Sequence, residues 1–256
     1  MVRLSIKFWF WCGLVLAVLL LTAGSALIWQ QRSRIDHTVA PPGETAGGRY
    51  PWHSVVGSVF WIGEDETAEN AFINNRETAW DLDATGSFGG VDDPDVRTTD
   101  GLAPKQFTPR HNTFYMALPA AEFTEAGPVA EARHKSYWSQ DNVAENTSLF
   151  KGRWAEIYYN GQKAYVQWAD VGPFEEHDYD YVFGHNKPKN TWGLGAGIDL
   201  SPATAAYLKI DGAAQVFWRF IDADQVPDGP WKLYPAITNQ TNWKVPTPTP
   251  AVLPSR

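Results

Sequence analysis

Two aspartates stand where apolar runs give way to glycine and proline: Asp170 in "YVQWADVGPF" and Asp199 in "GIDLSPATAAYL". Two carboxyl groups brought close together can hold a shared proton near neutral pH, which is the condition for acid–base chemistry. Each also has a structural reading. Asp170 can form the turn before Gly172 and Pro173, and Asp199 can accept backbone N–H groups beside a helix start. A second set, His177, Asp178, Asp180 and His185, has a spacing that fits no standard metal site, so neither metal nor cofactor is expected. Tyr179, Tyr181, Phe183 and Trp192 could stack on sugar rings or fold their own loop onto the domain. The chain shows no Ser-His-Asp order, no glycine-rich phosphate loop and no cysteine-based zinc pattern.

The elements that must position these residues are mostly β. "SVVGSVFWI" and "NTFYMAL" read as strands, and "AQVFWRFID" puts Val216, Trp218 and Phe220 on one face. "RWAEIYYNGQKAYVQWAD" reads as a hairpin, because Asn160-Gly161 accepts positive φ at both turn positions. In "LSPATAAYLKI", Ser201 can cap a helix, Pro202 fits its first turn and Gly212 can end it. "EDETAENAFINNRETAW" has Ala68, Phe72 and Ile73 near helical spacing, which predicts a short helix. "DLDATGSFGGVDDPDVRTTDG" lacks periodicity and reads as a surface loop, its acids failing the EF-hand spacing.

The 256 residues suffice for one ordinary domain plus additional segments. The run from Phe8 to Trp29 carries no charge over 22 residues, with Arg3 and Lys7 before it and Arg32 and Arg34 after it. A length of about 20 apolar residues spans a bilayer, which predicts a signal-anchor. "TAGSA" leaves a removable signal peptide as the alternative. Either way the remainder is exported. The only cysteine, Cys12, lies in that run, so no disulfide or thiolate chemistry is expected outside it. Beyond Arg34 the chain has 17 Lys and Arg against 29 Asp and Glu, a formal −12. That balance argues against nucleic acid, anionic lipid and teichoic acid as partners. The segment "VPTPTPAVLPSR" is proline-rich and extended.

"YVQWADVGPF", "GIDLSPATAAYL" and "QVFWRFID", in that order around the Asn-Gly hairpin, resemble the double-psi β-barrel of rare lipoprotein A and the first domain of bacterial expansins. "TFYMALP" looks like their opening strand, and the likeness covers about 112–222. The resemblance implies a six-stranded double-psi barrel with both aspartates on the floor of one groove. By that likeness Asp199 is the general acid, Asp170 its partner, and Thr113, Tyr115 and Trp192 bind substrate. This sequence departs from the family in carrying Gly172 where expansins often have tyrosine. It also has Asn146 where rare lipoprotein A has a histidine, and a long spacing of 29 from Asp170 to Asp199.

The resulting expectation is a mainly β protein with a transmembrane helix at 1–29, a linker at 30–49 and an extension at 50–110. A barrel at 111–235 and a proline-rich tail at 236–256 follow. It would sit in a bacterial inner membrane with the domain in the periplasm or outside the cell. Its partner would be peptidoglycan or another polysaccharide. The activity would be lytic glycosidic cleavage or expansin-like loosening, with non-catalytic wall binding or scaffolding as the alternative.

Overall fold

The computed structural model describes residues 49–242 except 69, 71 and 125, all within the unit Thr38–Arg256. The expected signal-anchor, most of the linker and the end of the tail lie outside the described residues. Among the described residues no helix is long and apolar enough to cross a membrane.

Six strands close a barrel: β1 (His53–Val59), β2 (Tyr115–Leu118), β5 (Trp154–Tyr159), β6 (Gln162–Val171), β7 (Ile198–Leu200) and β8 (Ala213–Ile221). They run in the order β1-β7-β2-β6-β5-β8, with β1/β7 and β2/β6 parallel and the other neighbours antiparallel. A separate two-stranded ribbon, β3 (Phe123–Thr124) and β4 (Gly127–Pro128), stands outside the barrel. Among the described residues there are four short helices: α1 (Ala84–Phe88), α2 (Ala130–Lys135), α3 (Tyr179–Val182) and α4 (Pro202–Leu208).

The predicted β5–β6 hairpin forms as expected, with Asn160 and Gly161 at φ 45° and 84°. Strict alternation along β8 sends Ala214, Val216, Trp218 and Phe220 inward, where they meet Met116, Leu118, Val166, Trp168, Ile198 and Leu200. Ring contacts fix this interior: Trp218 packs edge-on against Phe220, and Phe150 stacks on Trp168 at 5.0 Å. Ser201 caps α4, its Oγ accepting from Thr204 N at 3.2 Å and from Tyr115 N at 3.3 Å. The same hydroxyl therefore ties the helix start to β2. Ser201→Ala removes both bonds from a fully buried position, and a loss of about 1–2 kcal/mol is expected in denaturant unfolding.

The structure corrects four expectations. The barrel begins before residue 111: β1 lies in the segment assigned to an extension, and pairs with β7 and β8. No helix forms among the described residues of 64–80. Asn70 instead binds Asp65 O and Ile73 O through its side-chain amide, while Phe72 and Ile73 stay exposed. That local bonding gives the backbone an alternative to helix, and no face is available to bury the apolar pair. The supposed surface loop at 81–101 contains α1 and packs inward: Ala84 and Phe88 join Phe60, Ile62, Tyr115 and Ala117 in a second core outside the barrel wall. The start of the expected tail is bound rather than loose. Ile237 N donates to Gln167 Oε1, Ser148 N donates to Asn239 O, and Thr147 bridges to Gln240.

Candidate functional site

Ser58, Asp199, Ala117 and Asp170 form one transverse row across four adjacent strands. Ser58 pairs with Asp199, Asp199 with Ala117, and Ala117 with Asp170. On β7 the two flanking residues, Ile198 and Leu200, enter the barrel core, so Asp199 turns to the outer face. On β6 a β-bulge does the work. Met116 pairs with Trp168, then the register shifts and Ala117 pairs with Asp170. Without that extra residue Ala169 would align with Ala117 and Asp170 with Leu118. The bulge re-aims the carboxylate toward the row, a recurrent use of such irregularities.

The two carboxylates are held differently. Asp170 is buried, and its Oδ1 accepts from Ala79 N and Val171 N, both at 2.8 Å. Its Oδ2 accepts no hydrogen bond among the described residues. Asp199 is half-buried, and its Oδ1 accepts from the Ser58 hydroxyl at 2.5 Å. Its Oδ2 lies 3.7 Å from where a Cβ on Gly172 would stand, beside Ala117. A side chain at 172 would pack against Asp199 Oδ2. Burial pushes the Asp170 carboxyl up to about 7, and the charges of Asp199 and Glu176 add to that against the two amide bonds. Burial pushes Asp199 up to about 6, with Glu64 adding and the Ser58 hydroxyl opposing.

Asp170 forms part of the floor of a cleft of about 700 Å³. One wall is the 73–79 segment, the other the β3–β4 ribbon through Phe123, Thr124 and Ala126, and Glu176 closes one end. Asp199 is not among the residues lining it. Two residues beyond Gly172, Phe174 stands exposed at φ 58°, its ring 6.2 Å from that of exposed Trp192. An aromatic held in the left-handed region and turned to solvent is strained without a packing return, a pattern that clusters at functional surfaces.

The structure places Asp170 and Asp199 on the two strands that flank β2, both opposite Ala117, but only Asp170 lines the cleft, so the expected shared groove floor is not seen; Trp192 is accessible. Thr113 and Tyr115 do not line an accessible groove. Thr113 is buried, and Tyr115 is fully enclosed with its hydroxyl donating to Asp92 Oδ2 at 2.8 Å and accepting from Ile62 N at 3.0 Å. The second core outside the barrel wall encloses Tyr115, which an isolated strand pattern cannot reveal. The long loop folds down through Tyr179, whose hydroxyl donates to Ala121 O, and Tyr181, which donates to Gly197 O and accepts from Trp218 Nε1. Asp178 accepts from Lys189 N, and Asp180 pairs with Lys135. No group of His, Cys, Asp and Glu among the described residues is arranged to hold a metal. Ser58, Glu176 and Phe174 were not singled out in the sequence; only the Gly-Ser-Val alternation of β1 hinted that Ser58 faces outward.

Asp170 makes stability pH-dependent with a definite sign. A folded-state pKa raised above the ordinary 3.8 contributes stability that is full below 3.8 and is lost as pH rises through about 7. In Asp170→Asn the side-chain oxygen still accepts both amides, and nothing ionises. The variant is expected to be more stable than wild type at alkaline pH, by about 2–4 kcal/mol, with the difference shrinking toward acid. Unfolding midpoints measured across pH check this.

No family model and no curated protein matches the chain. Among solved structures it is similar to Streptomyces papain inhibitor (SPI), with a TM-score of 0.30 and 17% identity. That match covers 67% of this chain and 96% of the other. A likeness at that score carries neither fold nor function across.

Proposed function

We propose that this chain is a double-psi β-barrel protein, similar to rare lipoprotein A and the expansin first domain, acting on cell-wall glycan, most plausibly peptidoglycan, outside the cytoplasm. The observation that carries the reading is the row Ser58–Asp199–Ala117–Asp170, with both carboxyls pushed up toward neutrality and Asp170 lining a cleft. Two parallel pairs, β1/β7 and β2/β6, within an otherwise antiparallel closed barrel support the double-psi assignment.

In this reading Asp199 is the general acid. Ser58 holds Oδ1, so the proton is delivered from Oδ2 to the leaving glycosidic oxygen, while water or a substrate hydroxyl bonds to the anomeric carbon and returns a proton to the pair. Asp170 lies at the same level of the sheet; the productive form of the pair carries the shared proton on Asp199 and leaves Asp170 ionised, a minority form because burial raises Asp170 further, and that charge stabilises positive charge developing on the sugar ring. Phe174 and Trp192 offer a stacking surface for the apolar face of a pyranose beside Gly172. The domain is anchored to the bacterial inner membrane through the uncharged run at 8–29, or released if that run is cleaved.

A second reading, wall binding or scaffolding without cleavage, is favoured by one specific contact. Asp170 spends Oδ1 on two backbone amides, the bonding of a structural carboxylate. Incubating the full chain with peptidoglycan sacculi and analysing the soluble muropeptides separates the two. Release supports catalysis, and binding without release supports the scaffold.

A further inference from the structure

Residues 237–242 form a strap between the 146–152 segment and the 78–82 turn. Ile237 reaches the second core, and the buried Gln167 holds both sides of its backbone, Oε1 accepting from Ile237 N at 2.9 Å and Nε2 donating to Ile237 O at 3.0 Å. A Cβ at Gly152 would stand 2.5 Å from Ile237 O, so glycine is what admits the strap there. Ser148 N donates to Asn239 O at 2.7 Å, Lys151 Nζ to Gln240 O at 2.7 Å, and Thr241 N to Asn146 O at 2.9 Å. The strap then crosses to the turn through Asn242. Its N donates to Trp80 O at 3.2 Å, its Oδ1 accepts from Leu82 N at 2.6 Å, and its Nδ2 donates to Asp81 Oδ1 at 2.6 Å. One side chain therefore clasps two successive residues of the turn.

That turn carries an amide that Asp170 uses. Thr78 N donates to Asp81 O at 2.9 Å and Asp81 N to Thr78 O at 3.2 Å, closing a loop whose middle residues are Ala79 and Trp80. Trp80 is fully buried, edge-on to Trp168, and fixes the turn in depth. Ala79 N donates to Asp170 Oδ1 at 2.8 Å. One buried ring does not fix the orientation of a turn, and the Asn242 bonds to Asp81 and Leu82 add the second point of attachment. Resting on the reading above that gives Asp170 a part in the chemistry, we infer that Asn242 is a positioning residue for Asp170: it holds the 78–81 turn so that the Ala79 N–H is aimed at Asp170 Oδ1. Loss of the Asn242 side chain withdraws one of the two amides that favour the ionised carboxyl and leaves Val171 N. The ionisable groups facing Asp170 are Asp199 across β2, Glu176 beyond β6 and, on the covering segment, exposed Glu77. All three stay in place when Asn242 is replaced.

The test uses the full chain with Asn242→Ala and, as control, with Thr241→Ala. Thr241 is the neighbouring strap residue, and its replacement keeps the backbone bond to Asn146. Wild type and each variant are paired with the same chain carrying Asp170→Asn, and the difference in unfolding free energy within each pair is followed across about pH 4–9. That difference falls as pH rises and levels off at the native-state pKa of Asp170, about 7 in wild type. In Asn242→Ala the levelling point is expected to move up by about one pH unit. Hydrogen exchange at the Ala79 amide is expected to quicken about tenfold. Thr241→Ala is expected to change neither. Asn242 is exposed, so its replacement leaves the fold intact. An unmoved levelling point overturns the inference, whether or not exchange quickens. So does an equal shift in Thr241→Ala, which would mark general loosening. Neither readout uses a glycan, so muropeptide release judges the glycan reading separately, and either can fail while the other stands.

Discussion

Asp199→Asn is expected to abolish muropeptide release, by about 10²–10⁴-fold, while leaving the barrel folded. The substitution keeps the shape of the side chain and its bond to Ser58, since an amide oxygen can accept from the hydroxyl at Oδ1. It removes the one property the mechanism requires, a proton that can leave Oδ2. The far- and near-ultraviolet circular dichroism of the variant, dominated in the near range by the buried tryptophans Trp80, Trp168 and Trp218, should match wild type. Equal release by the two forms would remove Asp199 from the chemistry. Release by neither, with sacculi still bound, would leave the scaffold reading in place. Asp170→Asn should also lose activity while gaining stability at alkaline pH, because the carboxylate is held at a cost. A gain in stability from deleting a buried acid marks a site kept for function rather than for folding.

Arg97→Ala is expected to give the largest loss of stability, about 3–5 kcal/mol near neutral pH. Asp92 is completely buried, and Arg97 Nη1 donates to its Oδ1 at 2.7 Å while Arg97 Nε donates to Gly101 O at 2.7 Å. The remaining oxygen of Asp92 takes the Tyr115 hydroxyl from β2. This chain of contacts fastens the 60–110 segment to the outer face of the barrel. The same segment supplies Ala79 N to Asp170, so the anchor and the site share one covering layer. Burial already pushes Asp92 up to about 6 against the opposing pull of Arg97, and loss of the guanidinium raises it further. The destabilisation should therefore be greatest above that pKa and shrink in acid, where Asp92 is neutral in both states. Adding Asp92→Asn to Arg97→Ala should recover much of the loss at neutral pH. Equal destabilisation at all pH values, with no recovery in the double variant, would show that packing rather than charge carries the effect.

Much of the architecture was legible in the residues because it rests on near neighbours. The Asn160-Gly161 turn, the Ser201 cap and the alternation of β8 are set by backbone conformations and side-chain bonds spanning a few positions. β7 was not legible: three residues are too few for a pattern, and its strand character comes from lying between β1 and β2. The fate of 81–101 was equally hidden, since Phe88 and Asp92 both meet Tyr115 on the outer face of β2, more than twenty residues away.

The aspartates divide along the same line. The sequence alone determined that Asp170 ends an apolar run and that Asp199 stands between two apolar residues. Whether they meet depended on a parallel β2/β6 pairing and on one residue of slippage within it, neither of which leaves a local mark. The same pairing enclosed Tyr115 and left Trp192 outside. Side-chain periodicity along a strand is a property of that strand, whereas the face it presents, and what covers it, belong to the strands and segments packed against it.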